Sequence, residues 1–280
     1  MPKLWIIGCL MLLLNSCYSP RYVYSPATQN IPLVHKKNDV KVAAYISSGL
    51  GSNDFQVYKK SSNIGLDVHT AYAFTNHFAA IINYYNRWEY NGVDNDVIRG
   101  DSITINYKRH LFEFGGGYFT MLDSANTAIQ LFGGLGFGNF QINETIARNR
   151  TSAGRFHRST VTEVFIQPVI ISGYNKKFTA AFSSRFSAIF YGNIKTDYSD
   201  AELKQYFLYG LSPSPVFFWE PAMDYTYGSK KLPGVRIELQ IGLSILMNRR
   251  FVDYRTINMA LGLTSDLKFR HSARKTTASP

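Results

Sequence analysis

From about residue 40 to residue 269 apolar positions alternate with polar or small ones, in runs separated by turn-like clusters. In "NIGLDVHTAYAF" one parity carries Ile64, Leu66, Val68, Tyr72 and Phe74, and the other carries Gly65, Asp67, His69, Ala71 and Ala73. A repeat of two is a strand signature, because successive side chains leave a strand on opposite faces. After Thr75-Asn76-His77 the pattern resumes in "FAAIINYYNRWE", with Phe78, Ala80, Ile82, Tyr84 and Trp88 on one side. The last run puts Ile257, Met259, Leu261, Leu263, Leu267 and Phe269 on one parity. Ten strands are predicted, over 40–48, 62–74, 78–90, 102–121, 127–143, 159–174, 178–192, 216–227, 234–246 and 254–269.

The links between these runs alternate in length. Short ones fall near 75–77, 122–126, 175–177 and 228–233, and longer ones near 49–61, 91–101, 144–158 and 193–215. The link at 247–253 is short for its class. Short turns at one end and long loops at the other are the habit of transmembrane barrels. The expected fold is therefore all-β: a transmembrane antiparallel up-and-down β-barrel of about ten strands. The competing fold is a soluble β-sandwich, which shares the alternation but buries its apolar face. Two features favour lipid. Several runs exceed the roughly 9–11 residues that a tilted crossing needs. Aromatic residues such as Tyr84, Trp88, Tyr90, Phe217, Trp219 and Tyr227 gather near strand ends, where one edge of a ring is dry and the other wet.

If the apolar parity meets lipid, the polar parity lines a lumen. That assigns Lys41, Arg87, Arg109, Arg185 and Arg236 to the interior, with Asp67, Glu89, Glu113, Glu163, Glu220, Asp224 and Glu238. Charges confined in a narrow space are costly unless paired, and a small barrel has room only for side chains. These residues read as an ionic plug; a channel lining is the alternative. In "IQLFGGLGFGNF" Ile129, Leu131, Leu135 and Phe137 take the lipid parity, while Gly134, Gly136 and Gly138 face inward and relieve crowding. The same glycines lack the G-x-G-x-x-G spacing and a following helix, so they do not read as a phosphate loop.

The amino terminus changes the picture. "MPKLWIIGCLMLLLNSC" has a basic residue, an apolar run from Leu4 to Leu14 and small polar residues, which is a secretory signal too short to span a membrane as a helix. The order Leu14-Asn15-Ser16-Cys17 resembles the bacterial lipobox. That resemblance implies a mature chain starting at Cys17 with acyl chains such as palmitate on it. Residues 18–39 have three prolines and no periodicity; they read as an extended tether along the barrel or its lower rim, with the lipid in the inner leaflet. The expected organisation is a signal peptide over 1–16, a lipidated tether over 17–39, a barrel over 40–269 and a basic tail over 270–280.

Composition agrees with an envelope location. Charged residues make up only 18% and the formal net charge is +11. The basic residues come as scattered doublets such as Lys36-Lys37 and Arg249-Arg250, not as the groove or helix that nucleic acid requires, so no nucleic-acid partner is expected. Arg148, Arg150, Arg155 and Arg158 sit beside a strand top, where guanidinium groups are candidates for the phosphates of lipopolysaccharide. The expected partners are outer-membrane lipids and lipopolysaccharide, with an envelope protein partner open. His157, Ser159 and Glu163 have the flavour of a lipid-active hydrolase; a polar cluster at a loop end is the reading preferred. No histidine has metal-ligand spacing. No cofactor, metal or enzymatic activity is expected.

The lipobox, "LDVHTAYAFTNHFAAI", "IQLFGGLGFGNF" and "VFIQPVIISGYNKKFTAAFSSRFS" resemble the outer-membrane β-barrel proteins common in Bacteroidetes-type bacteria. The resemblance covers nearly all of residues 17–269 and implies architecture and a bacterial outer-membrane address; it carries no catalytic residues. One departure is that such barrels usually end on an aromatic residue, whereas Phe269 is followed by "RHSARKTTASP". The function expected is that of a lipid-anchored, plugged barrel with a structural or interaction role at the cell envelope. A small pore or transport component is the alternative.

Overall fold

The computed structural model describes residues 20–51, 60–96, 101–122, 126–148, 151–173, 177–228, 234–248 and 251–268. Its strands are β1 (Asp39–Gly51), β2 (Lys60–Ala73), β3 (Phe78–Asp96), β4 (Asp101–Met121), β5 (Thr127–Arg148), β6 (Thr151–Ser172), β7 (Phe178–Thr196), β8 (Val216–Gly228), β9 (Val235–Leu243), β10 (Ile245–Leu246) and β11 (Arg255–Lys268), with one short helix, α1 (Asp200–Gln205), between β7 and β8. β9 and β10 are a single crossing interrupted at Ser244. Consecutive strands pair antiparallel, and β11 pairs with both β9 and β1. The sheet thus closes on itself as a ten-stranded up-and-down barrel in which every crossing has a neighbour on both sides.

The two parities separate as the alternation requires. Ile46, Leu66, Ile82, Phe137, Ile166 and Leu261 all point outward and are exposed. Their neighbours Tyr45, Asp67, Asn83, Gln167 and Ala260 point inward and are buried. So continuous an apolar exterior is untenable in water but is what hydrocarbon demands. At the short-turn end the belt finishes in rings, with Phe78 opposite Tyr118 and Phe178 opposite Tyr227. At the other end the outward positions turn polar, at Lys108 and His110 on β4 and Asn139 on β5.

The strands run further than their apolar runs. Segments 91–101 and 144–158, expected as long loops, are mostly strand: β3 reaches Asp96, β5 reaches Arg148 and β6 restarts at Thr151. Beyond the belt both faces meet polar surroundings. The alternation that marks a strand therefore fades, while the ladder hydrogen bonds continue, as in Glu144 opposite Arg155. The β7–β8 connection folds over this end. Ser199 N-caps α1, its hydroxyl accepting from Glu202 N while the Glu202 carboxylate accepts from Ser199 N at 2.9 Å. Leu208 and Leu211 from this connection join Tyr22, Tyr107, Phe140 and Phe218 in a buried cluster under the lid.

Candidate functional site: a lumen threaded by the amino-terminal segment

Residues 20–35 do not lie along the rim. They run through the lumen, and nearly every one is buried, which corrects the expectation of an external tether. Pro20, Pro26 and Pro32 recur along the stretch. Proline holds φ near the extended value and brings no N–H donor, so such a segment presents mainly carbonyls to its surroundings. Buried carbonyls need donors, and the inward parity of the wall supplies them. Arg109 donates to Tyr22 O. Arg87 donates to Pro26 O at 3.2 Å, Gln240 to Gln29 O at 2.9 Å and Gln167 to Asn30 O at 2.8 Å. Lys41 donates to Ile31 O at 2.8 Å and Gln130 to Pro32 O at 2.6 Å.

The segment donates to the wall in turn. Thr28 gives its backbone N–H and hydroxyl to Asp67, Asn30 gives its side-chain amide to Asn83, and Gln29 gives its side-chain amide to Glu220 O at 2.7 Å. Tyr24 donates to Glu220 at 2.7 Å. With Tyr191 and Ser183 of β7 and the backbone N–H of Arg255 on β11, the segment is hydrogen-bonded to every one of the ten crossings.

The charges expected in the lumen form the frame around this strap. Lys41 pairs with Glu238 at 3.1 Å, and Arg87 with Asp67. Arg109 and Arg255 share Glu89, the second at 2.6 Å. Arg185 sits between Glu113 at 2.5 Å and Glu163 at 3.4 Å, with its guanidinium 3.8 Å over the Phe165 ring. Glu220 accepts from Tyr24, Ser187 and Ser244. Asp224 accepts from Gln240 and Thr226. Arg236 is the outlier: it lies at the rim, partly exposed, and pairs with Asp266 at 3.0 Å. A cavity of about 60 Å³ remains beside the strap, bordered by Tyr24, Arg87, Arg109, Glu113, Glu163 and Arg185.

Sequence reading missed the upper end of this site. Arg21, wholly buried, pairs with Glu144 at 2.7 Å, and its backbone N–H meets Asp253 at 3.1 Å. The guanidinium lies 4.1 Å over the Tyr206 ring, and Tyr198 donates to Glu144. Burial disfavours the Arg21 cation, but Glu144, Tyr107 and Tyr198 together offset this and raise its pKa. Burial and the Glu144 carboxylate together push the Tyr198 hydroxyl well above its ordinary value. Glu144 opens the link expected over 144–158 and Arg255 stands at the start of the last predicted strand, neither with a partner visible in the sequence. Tyr22, Val23, Ile31, Leu33 and Val34, apolar residues in an aperiodic stretch, were the one available hint that residues 20–35 were buried.

The remaining candidates are dispersed. Arg148 is exposed at the β5 end, Arg155 pairs with Glu202 of α1, and Arg158 points outward 5.3 Å from the Phe156 ring. Arg150, Cys17, the leader and the carboxy-terminal tail lie outside the described residues. His157 and Ser159 are buried on the inward parity, and neither the imidazole nitrogens nor the Ser159 hydroxyl has a hydrogen-bond partner. A serine–histidine hydrogen bond is therefore not formed here. Among the described residues no three His, Cys, Asp or Glu side chains gather as a metal site.

Fold and site together define a class, a closed antiparallel β-barrel with an apolar exterior, here threaded by residues 20–35. No family model and no curated protein matches the chain. Among solved structures it is similar to Ail, the attachment invasion locus protein of Yersinia pestis, at 12% identity over 82% of this chain and 99% of that one, with a TM-score of 0.36. It is similar to the translocator domain of autotransporter NalP from Neisseria meningitidis, at 8% identity over 82% and 88%, with a TM-score of 0.46. A third is the outer membrane protease OmpT from Escherichia coli, at 8% identity over 82% and 95%, with a TM-score of 0.41.

Proposed function

We propose that this protein is a self-plugged barrel of the bacterial outer membrane, without enzymatic activity, that serves a structural or interaction role at the cell envelope. One observation carries the reading: residues 20–35 occupy the lumen and hydrogen-bond to all ten crossings, the arrangement expected of a fastened plug. The apolar belt supports a membrane location. Planar-bilayer recording tests the plug. Purified wild-type protein is expected to insert without stepwise conductance, and stable open-channel steps would move the assignment to a small pore.

Two finer parts belong to this reading. Cys17 is acylated after removal of residues 1–16, for which the support is the order Leu14-Asn15-Ser16-Cys17; mass spectrometry of the mature terminus decides it. The arginines at the long-loop end, Arg148, Arg150, Arg155 and Arg158, contact lipopolysaccharide phosphates. Arg155 is already neutralised by Glu202, so the weight falls on the other three. The double variant R148A/R150A should reduce lipopolysaccharide co-purification, and an unchanged amount removes this part.

A further inference from the structure

The direction in which the strap runs can be read from its ends. At residue 35 it meets the short-turn face: His35 N donates to Asp39, which opens β1, at 2.8 Å. Lys37 N donates to Asn76 of the β2–β3 turn at 3.0 Å, and Asn38 N to Ala73 O at 2.7 Å. At residue 21 it meets the opposite face. Glu144 lies near the far end of β5, Tyr198 and Tyr206 belong to the lid around α1, and Asp253 belongs to the connection into β11. On β5, Glu144 is seven residues beyond Phe137, an exposed residue of the apolar belt. The strap therefore crosses the whole membrane-depth part of the barrel between residues 35 and 21.

The wall is cut to admit it. A Cβ on Gly51 would strike the Tyr22 ring, and one on Gly49 would come within 3.2 Å of the Ser25 hydroxyl and of the Arg255 side chain. These glycines lie on β1, the strand that follows the strap in sequence, so passage and barrel are built as one unit. Backing out would break Arg21–Glu144, expose both buried charges and strip the wall donors from the segment's carbonyls. Each such loss leaves a buried donor or charge without its partner, so withdrawal of the strap to the short-turn side is strongly disfavoured.

We propose that the barrel carries its own amino terminus through the membrane, so that the chain upstream of Pro20, Cys17 included, is delivered to the long-loop face and displayed outside the cell. This rests on the reading just given, in which the belt meets lipid and the long-loop end is the exterior. Only Tyr18 and Ser19 separate Cys17 from Pro20, and the three steps between them reach roughly 10 Å at ~3.3 Å per residue. Anchoring in the periplasmic leaflet at the short-turn end is out of reach, which withdraws the inner-leaflet placement expected from the sequence. Any acyl group on Cys17 is held on the outer side.

The test is an epitope inserted between Ser19 and Pro20, upstream of every lumenal contact, compared with the same epitope inserted between Asn76 and His77. Only protein showing the heat-modifiable mobility of a folded barrel is scored. The first insertion is expected to bind antibody on intact cells, and the second only after the outer membrane is permeabilised. If the first becomes reachable only on permeabilisation, the proposal is overturned; if the two patterns are exchanged, the direction is wrong and it is equally overturned. A variant that needs no insertion, Ser19→Cys, is probed with a membrane-impermeant maleimide. Labelling of intact cells is expected, whereas protection until permeabilisation or denaturation overturns the display. Wild-type protein in the same assay reports on the lipid separately. If Cys17 itself is labelled on intact cells, acylation fails while outward display is supported.

Discussion

Thr28 places both its backbone N–H, at 3.1 Å, and its hydroxyl, at 2.5 Å, on one carboxylate oxygen of Asp67. The same carboxylate is held by Arg87 from the neighbouring strand, one contact being 2.8 Å. One wall carboxylate thus fastens the strap and neutralises a wall cation together. Thr28→Val keeps the shape and loses one donor, so it should lower stability by about 1–2 kcal/mol. Asp67→Asn leaves the buried Arg87 guanidinium without a counter-charge and should cost about 3–5 kcal/mol. The temperature at which the folded band converts to the unfolded one on a gel measures both. Equal shifts would mean that the strap and the ion pair are not joined at Asp67.

Gly51 and Tyr22 provide a steric test of threading. All the nearest atoms that a Cβ at Gly51 would meet belong to the Tyr22 side chain. Gly51→Ala should destabilise the wild-type barrel by about 1–3 kcal/mol through overpacking. In the Tyr22→Ala background the same change should cost much less, giving a coupling energy of at least about 0.5 kcal/mol in a double-mutant cycle. Additive effects would place Tyr22 elsewhere.

Membrane placement predicts a depth dependence. Ile166 lies within the apolar belt and Asn139 just above it, both pointing outward. Ile166→Arg should cost about 2–4 kcal/mol of folding into lipid vesicles, and Asn139→Arg about 0–1 kcal/mol. Equal penalties at the two sites would argue against the belt as the lipid contact.

The lid has a pH signature. Burial first, and then the Glu144 carboxylate, raise the Tyr198 pKa above the ordinary value of about 10. Below pH 10 the hydroxyl is protonated in both folded and unfolded chains, and its contribution is complete. Above pH 10 the unfolded chain releases the proton while the folded one retains it, so the contribution declines as pH rises. Tyr198→Phe should therefore be less stable than wild type at pH 8, and the gap should narrow between pH 10 and 11. A constant gap in urea titrations at those pH values would show that Glu144 and Tyr198 do not interact.

Much of the wall was legible because its cause is local. Ile64, Leu66 and Val68 alternate with Gly65, Asp67 and His69 whatever lies across the lumen, since a strand's two faces are set by its own backbone. The inward parity of Lys41, Arg87, Glu113 and Glu238 followed from the same rule. Their pairing did not: Lys41 and Glu238 are far apart in sequence and meet only because β11 closes on β1 beside β9. The upper parts of β5 and β6 were read as loop because polar residues occupy both faces there.

By itself the sequence determined the ten crossings and the face each turns outward. Only the tertiary structure decided what fills the barrel and in which direction residues 20–35 run through it. Residues 20–35 have no period because they have no single neighbour. Their hydrogen bonds go to strands all around the wall, and a pattern imposed by ten partners arranged in a ring leaves no repeat along the one chain that passes between them.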